Sequence, residues 1–147
     1  MEWKLKKFNE LNCEEIYNIL KLRTEVFIVE QECPYQDTDG KDQKSLHLYL
    51  EDNGEIIAYS RILPKGVSYD KASIGRIIVK KEHRGKGLSR KMILTAINYI
   101  EEILKETEIK IQAQAYLFDF YGSLGFEGIS EEYLEDNIPH IDMLYKK

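Results

Sequence analysis

The sequence predicts an α/β protein of the α+β kind, with about seven strands interleaved with three helices. Three observations carry this. Short stretches alternate apolar and polar residues with a period of two. Two longer stretches carry apolar residues at helical spacing. Asp52-Asn53-Gly54 is a hairpin signal between two of the strands. At 147 residues the chain is expected to form one domain over 1–147. That length can bury a core without disulfide staples.

Trp3 to Phe8 alternates and reads as the first strand. Asn12-Cys13-Glu14-Glu15 is a capping box, and Ile16, Ile19, Leu20, Val26 and Phe27 continue a helix that fades near Glu30. Gln31 to Lys44 is polar, holds Pro34 and Gly40, and reads as an acidic loop. Leu46, Leu48 and Leu50 alternate with His47, Tyr49 and Glu51, which predicts a half-buried strand. Its return strand is Glu55 to Leu63. After a second loop, the fourth strand runs from Ala72 to Lys80. Leu88, Met92, Ala96, Ile100 and Ile103 mark one face of the longest helix. Ile109, Ile111 and Ala113 form a fifth strand. Leu117 to Leu124 is a short helix stopped by Gly125. Phe126–Ser130 and Ile138–Tyr145 read as the last strands, joined by Glu131 to Asp136, an acidic link read as a solvated turn.

The chain is 43% hydrophobic and 32% charged, with a net charge of −5. That balance argues against nucleic acid as the partner. No apolar run is long enough to span a membrane, and the N-terminal stretch lacks the apolar core of a signal peptide. Two cysteines, Cys13 and Cys33, make no disulfide framework. A cytoplasmic location is expected. The histidines and cysteines show no metal-ligand spacing, and Asp37, Asp39 and Asp42 do not fit a calcium loop, so no metal is expected.

One segment is locally basic. Ile77-Ile78-Val79 leads through His83-Arg84-Gly85-Lys86-Gly87 into the helix that begins at Leu88. The first amides of a helix lack intrahelical acceptors and sit at the positive end of its dipole. Glycines let backbone approach an anion closely. Strand, glycine turn and helix N-terminus together form an anion-binding device.

This turn, Arg84-Gly85-Lys86-Gly87-Leu88-Ser89, resembles the cofactor turn of the GNAT superfamily of N-acetyltransferases, with Ser89 where Gly or Ala is usual. Phe120-Tyr121-Gly122-Ser123-Leu124-Gly125-Phe126 is similar to a second motif of the same family. Leu22 to Gln31, then Cys33-Pro34-Tyr35-Gln36-Asp37, and the late Ile138-Pro139-His140-Ile141, resemble the ElaA-like branch.

The resemblance implies the GNAT fold, a mixed and mostly antiparallel sheet of about seven strands flanked by helices, with a splay between the fourth and fifth strands. It implies acetyl-coenzyme A as donor, with the pyrophosphate on the amides from Arg84 through Gly85, Lys86, Gly87 and Leu88 to Ser89. The pantetheine arm would pair with the backbone of Ile77, Ile78 and Val79. Gln114 stands where many members have an asparagine that contacts this arm. Tyr121 takes the place of the general acid beside the thiol. The acceptor side falls to Glu30, Gln31, Tyr35 and Asp37.

The expected reaction moves an acetyl group to the amine of a small molecule or peptide by direct attack in a ternary complex. The alternative is a non-catalytic acyl-CoA sensor. A free alkylamine with a pKa of about 10.4 is almost wholly protonated at pH 7, so a base is needed. Glu30, Asp37, His47 and His140 are candidates, with Glu30 and His140 placed first. Arg23, near the apolar stripe of the first helix, needs an acid partner; Glu30 or an acid of the following loop can serve. If Glu30 is that partner, it is scaffold rather than base. The loop acids read as a solvated loop or as a cation-attracting mouth. The apolar last strand, with Ile138, Ile141, Met143 and Leu144, fits either the core or a homodimer contact.

Overall fold

A computed structural model describes residues 1–147. One sheet runs through the molecule, built from β1 (Glu2–Lys7), β2 (Leu46–Asp52), β3 (Glu55–Leu63), β4 (Ala72–Val79), β5 (Glu108–Gln114), β6 (Phe126–Gly128), β7 (Tyr133–Glu135) and β8 (Ile138–Lys146). Its order is β1-β2-β3-β4-β5-β8-β6, with β7 also paired to β8. All neighbours are antiparallel except β4 and β5. The mixed, mostly antiparallel sheet implied by the resemblance is present.

The strand β7 is an addition to that reading. Tyr133–Glu135 lies in the stretch read as a solvated turn, yet it pairs with Ile138 to His140. Asp136 and Asn137 take φ of +51° and +62°. This is the double left-handed turn that closes tight hairpins, and Asp and Asn tolerate it. The same device closes β2 to β3 through Asn53 and Gly54.

Helices cover both faces. On one side α2 (Leu88–Glu102) packs Met92, Ile93, Ala96 and Ile100 onto β2 to β5, forming the main core. On the other, α1 (Cys13–Arg23) sets Ile19 and Leu22 against Tyr49, Tyr59 and Ile78. Asn12 caps α1 as expected, with Oδ1 accepting from the Glu15 amide at 2.8 Å and Glu15 Oε1 accepting from the Asn12 amide at 2.9 Å.

Two expectations change here. The first helix does not stay α-helical to Glu30: Thr24–Glu30 is a π-helix. Gln31 N–H donates to Val26 O at 3.1 Å and Cys33 N–H to Ile28 O at 3.2 Å, each five residues back. Wide turns of this kind concentrate at functional sites. Strand β2 is also buried on both faces rather than one. His47 and Tyr49 point into the α1 side, where Tyr49 OH donates to Glu15 and His47 bonds Tyr59 OH and Asp42 O. Their polar atoms are satisfied, so burial is tolerated.

Candidate active site

The sheet opens where β4 meets β5. Their parallel pairing covers only Ala72 with Ile109 and Ser73 with Lys110. Beyond these pairs the strands diverge, which is the expected splay. The facing edges from Ile74 to Val79 and from Ile111 to Gln114 are left without strand partners. A cleft of about 900 Å³ fills the opening.

One end of the cleft leads to the basic turn. Gly85 and Gly87 take φ of +81° and +75°, and nothing stands within 4 Å of where a Cβ would be. The amides of Gly85, Lys86, Gly87, Leu88, Ser89 and Arg90 find no acceptor in the chain. Arg84 and Ser89 line the cleft. Arg84 Nε donates to Val79 O at 2.9 Å, which ties the turn to the end of β4. Its two Nη atoms hold Glu30 at 2.7 and 2.9 Å.

Tyr121 belongs to α3 (Phe118–Gly122) and lines the cleft beside Gln114, Leu117 and Phe120. It is only 5% exposed, packed edge-on against Phe120 and Phe126. Its hydroxyl has no hydrogen-bond partner in the chain. Burial pushes its pKa well above the ordinary tyrosine value, and charge on Tyr116 adds to this. The hydroxyl is therefore protonated and holds its proton firmly.

The candidate bases differ sharply in their surroundings. The Arg84 guanidinium holds the Glu30 carboxyl below its usual range, which makes Glu30 a weak base. His47 lies outside the cleft with both ring nitrogens bonded. Asp37 is also outside it. His140 lines the cleft near the end of β5, in register with Gln114. Its Nδ1 pairs with Ile138 O at 2.7 Å, and Nε2 has no hydrogen-bond partner in the chain. Gln31 and Tyr35 line the cleft on the α1 side. Burial raises the Tyr35 hydroxyl to about 12. Sequence reasoning passed over Tyr69 and Gln112, which also line the cleft. Neither belongs to a motif, and only folding brings them there.

The acidic loop is neither solvated nor an open cation mouth. Arg23 pairs with Asp37 at 2.8 Å and with Asp42 at 2.9 Å. Arg61 pairs with Asp42 and Asp39, each at 2.9 Å. Arg76 pairs with Asp37 at 2.8 Å and with Asp39 at 3.5 Å. These six side chains close into a ring in which arginine and aspartate alternate. Arg23 is fully buried, so its acid partners come from the loop and not from Glu30. Burial alone would raise Asp42, but the guanidiniums of Arg23 and Arg61 outweigh it and hold the carboxyl below its usual range. Asp37, expected on the acceptor side, is instead part of this ring. In β8, Met143 is fully buried in the main core and Ile141 packs against it, so both are used within the chain.

Comparison with known proteins agrees with this geometry. Residues 9–147 match the acetyltransferase (GNAT) domain family. A UPF0039 protein of Schizosaccharomyces pombe is 39% identical over 145 residues, covering 97% of this chain and 95% of its own. Protein ElaA of Escherichia coli is 37% identical over 145 residues, with 97% and 95% covered. Its crystal structure superposes with a TM-score of 0.93 over 99% of both chains. An acyl-CoA N-acyltransferase from Pseudomonas aeruginosa, 38% identical, also superposes at 0.93 over 99% of both chains. The chain belongs to the GNAT acetyltransferase family, in its ElaA-like branch.

Proposed function

We propose that this protein transfers the acetyl group of acetyl-coenzyme A to a primary amine of a small molecule or peptide, in a ternary complex without a covalent enzyme intermediate. The observation that carries the reading is the continuity of two unpaired backbone surfaces. The open edge of β4 runs through Ile77 to Val79 toward the acceptor-free amides of Gly85 to Arg90. An extended arm ending in a diphosphate matches both: its amides pair with the strand edge, and its phosphates take the turn amides. Members of this family use that cofactor.

In this reading the chain's residues divide the work. Backbone N–H groups of Ile77 to Val79 orient the thioester, and one of them supports the carbonyl oxygen as charge develops. Tyr121 donates a hydrogen bond to the departing sulfur. A thiol pKa of about 8.5 lies far below that of a buried tyrosine, so the bond helps by donation rather than by full proton transfer. His140, through Nε2 and a water, deprotonates the acceptor ammonium so that the free amine can attack, and the proton that the nitrogen sheds as the tetrahedral intermediate collapses passes to the departing thiolate. Glu30, already ion-paired, holds Arg84 in place. Gln31 and Tyr35 border the acceptor. Cys13 and Cys33 are free thiols, in keeping with the cytoplasm as the place of work.

The test is release of free thiol from acetyl-coenzyme A across a panel of amines, with cofactor binding followed by calorimetry. Release that depends on the amine supports the proposal. Tight binding with no release from any amine would instead mark an acyl-CoA sensor. No binding at all would remove both readings.

A further inference from the structure

Strand β4 carries a bulge at the level of the cleft. Its register with β3 runs Tyr59 to Ile78 and Arg61 to Gly75, so Ser60 alone faces both Arg76 and Ile77. A bulged residue often adopts the left-handed region, where glycine is the usual choice. Here the glycine is next door. Gly75 has no positive φ, and the left-handed position, φ +50°, falls to Arg76. A side chain with a Cβ is disfavoured there unless its surroundings hold it.

The surroundings do hold it. Arg76 Nε donates to Asp37 Oδ1 at 2.8 Å, and Nη2 donates to Asp37 O at 2.9 Å and to Asp39 Oδ2 at 3.5 Å. The guanidinium carbon lies 5.9 Å from the centre of the Tyr35 ring. Asp37 and Asp39 are themselves fixed by buried arginines, Asp37 by Arg23 and Asp39 by Arg61. The ring of ion pairs thus grips the one strained residue of β4. That residue lies between Ser73, where pairing with β5 ends, and Ile77 to Val79, the edge left open. Straightening Arg76 would give β4 one residue too many against β3. The strand would then slip or buckle, and a one-residue slip reverses every side chain beyond it.

We infer that Arg76 is a positioning residue: the Arg–Asp ring holds its backbone left-handed, and the resulting bulge aims the Ile77–Val79 edge at the arm of coenzyme A. The occupant of that edge rests on the acetyl-coenzyme A reading. The grip on the bulge rests on the geometry alone.

The test compares Arg76→Ala, Arg76→Asn and Arg76→Gly. All three lose the ion pairs, so all three melt at lower temperature than the wild type. Glycine takes the left-handed region freely, asparagine tolerates it, and alanine avoids it. Coenzyme A affinity by calorimetry and turnover by thiol release are therefore expected to rank Gly, then Asn, then Ala. Arg76→Gly stays within about threefold of wild type and Arg76→Ala loses about tenfold or more. If Arg76→Ala does not fold, the order of Gly over Asn decides. Equal losses in all three variants, with a raised acceptor KM and unchanged coenzyme A affinity, would show that the guanidinium touches the acceptor and overturn the inference. Unchanged affinity in Arg76→Ala would overturn it too. Should the wild type bind coenzyme A yet acetylate nothing, the acetyl-transfer reading fails, while the ranking of affinities still decides the role of Arg76.

Discussion

Replacing Tyr121 by phenylalanine separates catalysis from folding unusually well in this protein. The ring is buried and packed edge-on against Phe120 and Phe126 at 5.3 and 5.9 Å between centroids, contacts that phenylalanine keeps. The hydroxyl gives the fold no hydrogen bond. Removing it therefore breaks nothing in the folded state, and the melting temperature is expected to hold or rise slightly. In the proposed reaction the same hydroxyl faces a sulfur gaining negative charge in the transition state. A hydrogen bond to a charged group contributes roughly 1.5–3 kcal/mol. At 1.36 kcal/mol per tenfold, Tyr121→Phe should lower kcat by about 10- to 150-fold. The assay is steady-state thiol release at saturating amine, paired with calorimetric titration of coenzyme A. Affinity for coenzyme A should change by less than about threefold, because the interaction strengthens only as the bond breaks. A kcat within threefold of wild type, or a loss of affinity equal to the loss of rate, would refute the role given to Tyr121.

Further outcomes follow from the same structure. Asp42→Ala removes the shared acceptor of Arg23 and Arg61 and leaves three arginines facing two aspartates in the ring, so about 3 kcal/mol of stability and roughly 10 °C of melting temperature should be lost, measured by thermal unfolding. Stability should fall on acidification in two stages. Burial lowers the His47 pKa in the folded state, so the unfolded chain takes up that proton first, below about pH 6.5. Asp42 and Glu15 are also depressed, Glu15 to about 2 because Asn12, Lys6 and Tyr49 outweigh its burial. Their contribution is complete above the unfolded value near pH 4 and is lost as pH falls toward the folded values. Denaturant midpoints between pH 8 and 3 check this, and His47→Gln should erase the upper stage. His140→Gln should lower kcat/KM by about a hundredfold, while Glu30→Gln changes kcat by less than about threefold; the opposite pattern would return the base to Glu30.

Much of the candidate site's local structure was legible because it depends on near neighbours in the chain. The glycine turn, the capping box at Asn12 and Glu15, and the motif around Tyr121 each depend on residues within a few positions of one another. Backbone conformation and helix-terminal amides follow directly from such runs. The end of the first helix was not legible: Thr24 to Glu30 reads as ordinary helix by spacing, and nothing in that spacing marks the wider π turns. The strand at Tyr133–Glu135 was hidden by its acids, although Asp136-Asn137 was a usable hairpin signal. Glu30 illustrates a further limit. A carboxylate beside a cleft suggests a base, but its contact with Arg84, 54 positions away, aided by the charge of Lys81, lowers its basicity.

By itself, the sequence determined the kind of fold, the glycine turn at the helix start and the family, because periodicity and short motifs are written in neighbouring residues. Tertiary structure alone decided what the charges do. Arg23, Asp37, Asp39, Asp42, Arg61 and Arg76 come from a helix, a loop and two strands, and their pairing depends on distances that no spacing along the chain encodes. Coulombic attraction between buried groups acts over a few ångströms of space, so folding determined which acids became scaffold and which histidine lines the cleft.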